Sequence, residues 1–264
     1  MAAGLIRQEP PLGQADWSAP WFQPLRERAQ PLAQRLLAGE PAWQVLDEAA
    51  AVARAPVRFV AQQALPPGQA YEAYIHAQGA VPTREGWHDF LNGLIWLHFP
   101  ATKRRLNALQ SQVIAEQGVG PVRGPLRDAC TLFDENVALL QVPDELWDAL
   151  CARDWQRLFV DLRHLWAGAG GGPIPGALLF GHALLEKLLR PRKDITAHVL
   201  RVPQTVPPGE LDVWLADTLT PQFLAAKPFQ PLPVLGIPGW WAGNAQPGFY
   251  DDKHVFRPLR KSGG

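Results

Sequence analysis

Apolar side chains recur along this chain at two spacings, and the change from one to the other marks out the elements. Leu25, Ala29, Leu32 and Leu36 sit three or four residues apart, and Val45, Leu46, Ala49 and Val52 repeat the pattern, so 25–55 predicts two helices. Phe59 and Val60 suggest a short strand, which Leu65-Pro66-Pro67-Gly68 breaks. Two well-marked helices follow over 84–98 and 101–116, the second opening after Pro100 and closing at Gly118. At 126–142 the pattern reads as a short hairpin, with Thr131-Leu132-Phe133 and Ala138-Leu139-Leu140 flanking a polar Asp134-Glu135-Asn136 turn. Helices resume over 144–166. A flexible glycine break at 168–172 then leads to Pro175, suited to the first turn of a helix over 176–190. Ile195 to Val202 has strand character, a further helix is expected near 209–218, and a Pro/Gly/Trp-rich tail closes the chain.

These elements predict a predominantly helical α+β fold with a short hairpin and a few strands, in a single compact domain. Residues 1–24 have no period and carry Trp17, Trp21 and Phe22 among prolines, so they are expected to lie as an extended aromatic and proline-rich arm. The globular domain then spans 25–258, and 259–264 forms a flexible tail. An apolar fraction of 47%, with 11 Trp and 11 Phe, fills a large core and excludes disorder as the main state. Basic and acidic side chains number 25 each, so nothing draws the whole molecule to nucleic acid or to an anionic membrane. No apolar run approaches the ~18 residues of a membrane span, and the N-terminus lacks the basic-then-apolar order of a signal peptide. The expected location is therefore the cytoplasm. Only Cys130 and Cys151 occur, outside any C-x-x-C pattern, and they indicate neither a disulfide framework nor a cysteine-based zinc site.

Candidate chemistry enters where polar residues interrupt these greasy helices. At 100° per residue, Trp87, Phe90, Leu91, Leu94, Ile95 and Leu97 share one broad face of 86–98, and His88, Asp89, Asn92 and Trp96 the other. The spacings of His88 and Asp89 to Asn92 let their tips converge, and Gly93 on the same side would admit a close approach to the backbone. The ordinary alternative is a solvated face with Thr83 as the helix cap, but such faces are usually rich in Lys, Glu and Arg. On 101–116, Lys103, Asn107 and Gln110 make a second polar line. A turn at Pro100 would bring Lys103 to the His88 cluster, whereas Gln110 reads as solvated. His182 and Glu186 stand one helical turn apart beside Lys187, a spacing at which an imidazole and a carboxylate reach one metal or one proton. A plain hydrogen bond is the simpler account. Adjacent Asp251 and Asp252, with Arg257 after them, cost stability unless cations, a metal or backbone N–H groups meet them. A capped turn with Arg257 paired locally is the bland version. Arg127-Asp128 reads as a salt pair, and Glu135 as a turn residue.

The same stretches carry a resemblance. Gly86 to Asn92, Trp96 to Lys103, Leu106-Asn107 with Gln110, Arg127-Asp128 with Thr131 to Asn136, and Phe180 to Lys187 occur in order, followed by Thr196-Ala197-His198 and Phe249 to Asp252 with Val255 to Pro258. Together they resemble the blocks of a bacterial family catalogued as domain of unknown function number three thousand and twenty-five. The likeness spans roughly 40 to 258 and departs where Val137 stands in place of an expected hairpin glycine. It implies a family and no activity.

No G-x-G-x-x-G follows a strand, and neither G-x-x-x-x-G-K-[ST] nor G-x-S-x-G is present, so dinucleotide, P-loop and serine-hydrolase readings lack their motifs. His88-Asp89 invites comparison with HD phosphohydrolases, but the upstream His76 is only twelve residues away with Pro82 between. The leading expectation is a hydrolase acting on a small anionic or phosphorylated substrate, with the cofactor open between none and a divalent metal such as zinc, manganese or iron. Its expected catalytic groups are His88, Asp89, Asn92, His182, Glu186 and Asp251. Its expected metal ligands are His88, His182, Glu186 and Asp252, and its expected substrate contacts are Trp96, Lys103, Asn107, Lys187 and Arg257. The alternative is a non-catalytic binding or scaffolding protein whose polar cluster fixes helix register. Recognition of RNA or a nucleotide through Trp96, Trp240, Trp241, Lys103 and Arg104-Arg105 ranks third, given the balanced charge. The oligomeric state is not legible.

Overall fold

Leu25, Ala29, Leu32 and Leu36 all turn inward on helix α1 (Gln23–Leu37), and Ala42, Val45, Leu46 and Ala50 do so on α2 (Ala42–Ala53). These helices belong to a computed structural model that describes residues 10–118, 124–168 and 176–259. Strands β1 (Arg58–Ala61) and β2 (Ala80–Thr83) pair in parallel, from Arg58 opposite Ala80 to Ala61 opposite Thr83, with α3 (Tyr71–Gln78) in the crossover. Helix α3 left little trace in the pattern because only Tyr74 and Ile75 are buried along it. Thr83 ends β2 instead of capping a helix. Gly86, at φ 143°, takes the cap position of α4 (Trp87–His98), and the chain then turns at Phe99 into α5 (Pro100–Gln117).

The hairpin expected at 126–142 does not form. Those residues make helix α6 (Pro125–Asn136), which runs directly into strand β3 (Val137–Leu140). Ala129, Cys130 and Phe133 are buried at helical spacing, and every residue of β3 is buried, so no two-residue alternation exists to support paired hairpin strands. Asp134-Glu135-Asn136 is the last turn of a helix, and Val137 begins a strand where no turn glycine is needed. Next come α7 (Asp144–Cys151), a π-helical turn at Arg157–Asp161, and α8 (Arg163–Gly168). The helix expected over 176–190 is likewise two elements, β4 (Ala177–Leu179) and α9 (His182–Lys187). A continuous apolar run such as Ala177 to Phe180 has no period by which strand and helix could be told apart. Pro175 and residues 169–172 of the glycine run lie outside the described residues.

Strand β3 sits between β4, antiparallel to it, and β5 (Thr196–Arg201), parallel to it. Helices α10 (Leu211–Thr218) and α11 (Pro221–Ala226) then lead to β6 (Gln230–Pro233), which lies antiparallel to β5 and completes the order β4-β3-β5-β6. Two prolines kept β6 from standing out in the sequence, and an edge position tolerates them. Trp17, Trp21 and Phe22 bury their rings in the core, and Trp87 Nε1 donates to the Pro10 carbonyl at 2.7 Å. Helices dominate and the strands form two small sheets, so the fold is α+β and mostly helical.

One junction positions the chemistry. The N–H groups of Phe180 and Gly181 both donate to the Val137 carbonyl, at 3.1 and 2.8 Å, pinning the start of α9 to the end of α6. A Cβ at Gly181 would come within 2.5 Å of Glu135 O and 2.6 Å of Asn136 N, both backbone atoms that cannot swing aside. Gly181→Ala is therefore expected to cost about 1–3 kcal/mol, the usual range for overpacking. Urea unfolding followed by tryptophan fluorescence would measure it, and a neutral result would show that the two elements can separate freely.

Candidate functional site

Helix α4 turns its polar side inward: Asp89, Asn92 and Trp96 are all buried, Trp96 at 2% exposure. The close approach at Gly93 is made by helix α2 and not by a ligand, since a Cβ there would meet Leu46 Cδ1 at 2.5 Å. At the first turn of α4, His88 meets His182 of α9 edge to face. The ring centroids are 4.6 Å apart and Nε2 lies 3.2 Å from Nε2. Behind His88, Nδ1 contacts Glu186 Oε2 at 2.8 Å. Behind His182, Nδ1 lies 3.6 Å from Asp134 Oδ2, beyond hydrogen-bond range, and has no other partner.

Their surroundings drive the two imidazoles apart. The hydrogen bond with Glu186 raises the pKa of half-buried His88 above its usual value. Burial drives that of His182 down to about 4. One protonation pattern, assigned from the hydrogen-bond network, agrees with both shifts. His88 is an imidazolium that donates Nδ1–H to Glu186 and Nε2–H to His182, while His182 is neutral, accepts at Nε2 and turns Nδ1–H toward Asp134. Burial is the strongest influence on Asp134 and acts to raise its pKa, yet the Lys103 ammonium and the His182 ring together hold it below the usual carboxylate value. Lys103 is 4% exposed. It donates to Asp134 Oδ1 and, at 2.8 Å, to Asn92 Oδ1, and it sits 5.4 Å over the Trp96 ring.

The histidine pair opens into a cleft of about 470 Å³, lined also by Tyr71 and Glu72 of α3, Arg84, Gln110 of α5, and Arg127 of α6. Asp89 borders it but is held by Arg84, whose backbone N–H and Nη2 donate at 2.7 and 2.9 Å. That carboxylate ties down the loop entering α4. Asn107 donates to the Glu72 carbonyl at 2.8 Å and to its carboxylate at 2.6 Å, and burial raises the Glu72 pKa above the usual range. Gln110, expected to be solvated, is 6% exposed.

The tail residues do not join this cluster. Asp252 pairs with Lys193 at 3.2 Å, while exposed Asp251 lies on a separate groove with Arg163, Asn244 and Tyr250. Arg257 is exposed and donates through Nε to the His254 carbonyl. Lys187 is exposed too and reaches Asn136 Oδ1 at 3.5 Å. The expected metal set thus loses Asp252, and among the described residues no group of three or more His, Cys, Asp or Glu side chains is placed to hold a metal ion. Trp96, buried under Lys103, presents no open stacking surface. Arg127 forms no ion pair with Asp128. Sequence reasoning missed Asp134, which had been read as part of a turn. In a helix it stands one turn after buried Cys130, and an acid in register with a core position would have been the signal. Tyr71, Glu72 and Arg84 gave none.

The molecule is therefore a mostly helical α+β protein with a carboxylate-backed histidine pair in a polar cleft. The model of the family described as protein of unknown function (DUF3025) matches residues 57–260, and the chain belongs to that family. The matched span contains the whole cleft wall. No curated protein and no solved structure matches the chain. Among the described residues, no helix is long and apolar enough to cross a membrane.

His182 titrates near 4 when folded and near its ordinary 6.5 when unfolded, so the unfolded chain takes up the proton first as pH falls. Its contribution to stability is intact above pH ~6.5 and is lost toward pH ~4, by up to about 3 kcal/mol. Urea unfolding across that window should show a decline in His182→Gln that is flatter than wild type by close to one proton. Equal slopes would mean that His182 is not held neutral.

Proposed function

We propose that the cleft is the active site of a hydrolase in which His88 and His182 act as an acid–base pair on a small anionic substrate. The observation that carries this reading is the direct Nε2–Nε2 contact, at 3.2 Å, between an imidazole whose pKa is raised and one whose pKa is lowered. Two titratable groups pushed in opposite directions at one point divide naturally into acid and base. A water molecule gives a proton to Nε2 of neutral His182 as its oxygen bonds to the electrophilic carbon or phosphorus. The bond to the leaving group breaks, and the Nε2 proton of His88 passes to the departing atom. The proton on His182 then crosses to His88 and restores both rings. Glu186 stabilises the imidazolium, and Lys103 keeps Asp134 ionised so that it can orient His182.

The second reading is a divalent cation, which His88 and His182 would hold and which would supply Lewis-acid activation of a water. The carboxylate hydrogen-bonded to Nδ1 of His88 favours it, because metal-bound histidines are commonly backed in this way. Elemental analysis separates the two: stoichiometric zinc, manganese or iron that is lost in His182→Ala selects the cation.

Hydrolysis of p-nitrophenyl acetate and p-nitrophenyl phosphate tests the acid–base reading. The expected kcat/KM holds from about pH 4, set by His182, to above 6.5, and falls as His88 loses its proton. His88→Gln and His182→Gln are each expected to lower it by ~10²–10⁴-fold. His88→Gln should keep or raise the melting temperature, as is common when an active-site residue is removed. A wild type inactive on both substrates, with His88→Gln strongly destabilised, would assign the cluster to bracing a non-catalytic protein.

A further inference from the structure

We propose that the wall of the cleft formed by Arg127 and Gln110 is a subsite for a single carboxylate, so that the substrate is a small monocarboxylic acid. This rests on the reading of the cleft as an active site and adds what that site selects. Gln110 carries the argument. Its side chain is 6% exposed, lines the cleft and the small hollow behind it, and has no hydrogen-bond partner among the described residues. No amide atom of Gln110 is sealed off without a partner, so the group opens onto the cleft, where a ligand can meet it.

Arg127 supplies the second observation. Its Nε is buried without a partner, and among the described residues its guanidinium makes no hydrogen bond or ion pair. The other cations at or beneath the cleft are committed: Arg84 to Asp89, His88 to Glu186, and Lys103 to Asp134. Glu72, the carboxyl that feels the Arg127 charge, is bonded to Asn107 instead. One fork-shaped cation and one amide, both unmatched, face the same space.

The chemistry of these two groups selects among anions. A planar guanidinium pairs with a planar carboxylate through two parallel N–H donors, and an amide N–H₂ adds a third donor. One free positive charge balances one negative charge. A phosphate dianion would bring a second negative charge beside Glu72 and Asp134, with no remaining cation among the described residues to meet it. Leu65, Ala70 and Ile114 give the cleft an apolar side, so an acid with a hydrocarbon or aromatic body fits it better than a fully polar one.

The test is side-chain ¹⁵N–¹H NMR on the full chain, titrated with benzoate, with its neutral amide benzamide, and with inorganic phosphate. Benzoate is expected to shift the Arg127 Nε–H and Gln110 amide signals saturably, and the other two are not. Arg127→Lys should weaken benzoate at least tenfold, since a point charge lacks the fork. Gln110→Leu should keep or raise the melting temperature while weakening benzoate, which excludes misfolding as the cause. Phosphate binding more tightly than benzoate, or no probe moving the two signals, would overturn the proposal. His88→Gln should still bind benzoate, so failure of the acid–base reading and failure of this subsite remain separate results.

Discussion

An ammonium group taken out of water has to be met by an anion, and Lys103 is 4% exposed. Asp134 meets it, Asn92 shares the load, and the face of Trp96 closes over it, so α4, α5 and α6 are all drawn to one point. Either charge alone would be a severe liability in that setting, whereas the pair is tolerated because each satisfies the other. The rest of the site follows from this contact. An ionised Asp134 gives His182 a reason to direct Nδ1 inward, which leaves Nε2 as an acceptor for His88, and His88 in turn leans on Glu186. Opposite charges alternate along the line from Lys103 to Glu186, interrupted only by a neutral ring that is buried too deeply to hold a proton.

That line draws on residues scattered along the chain, and this explains what could and could not be read in advance. His88, Asn92 and Trp96 were legible as polar intruders on an apolar helix, and His182 with Glu186 as a pair one turn apart, because both signals are local periodicities. Asp134 was hidden because Phe133 to Leu140 mixes the end of a helix with a strand buried on both faces, and no single period describes such a stretch. Tyr71 and Glu72 were hidden because α3 is short and packs through few apolar side chains. Asp251, Asp252 and Arg257 misled for the opposite reason. Their local pattern resembled a site, but Asp252 is satisfied equally well by one lysine and a turn, and Asp251 is exposed.

The cleft also shows where this fold departs from the arrangement that stability alone would favour. A histidine is held neutral in the interior, a carboxyl is buried beside another, and a guanidinium stands without a counter-ion among the described residues. Each is a small loss, and all of them fall around one cavity. Elsewhere the core is mostly leucines, phenylalanines and tryptophans in mutual contact, with Asn244 bonded to backbone carbonyls, although the ring N–H groups of Trp17 and Trp21 and Nε of Arg190 are also buried without a partner and burial lowers the pKa of His98 too. Several such groups gathered around one cavity suit a binding or reacting surface.

The prolines of β6 have an effect outside the molecule. Val234 N–H points back to the Ile195 carbonyl, so by alternation the backbone nitrogens of Pro231 and Pro233 lie on the free rim of the sheet. A rim without N–H donors offers little to an incoming strand, and this border resists β-augmentation by a passing peptide or by a second copy of the chain.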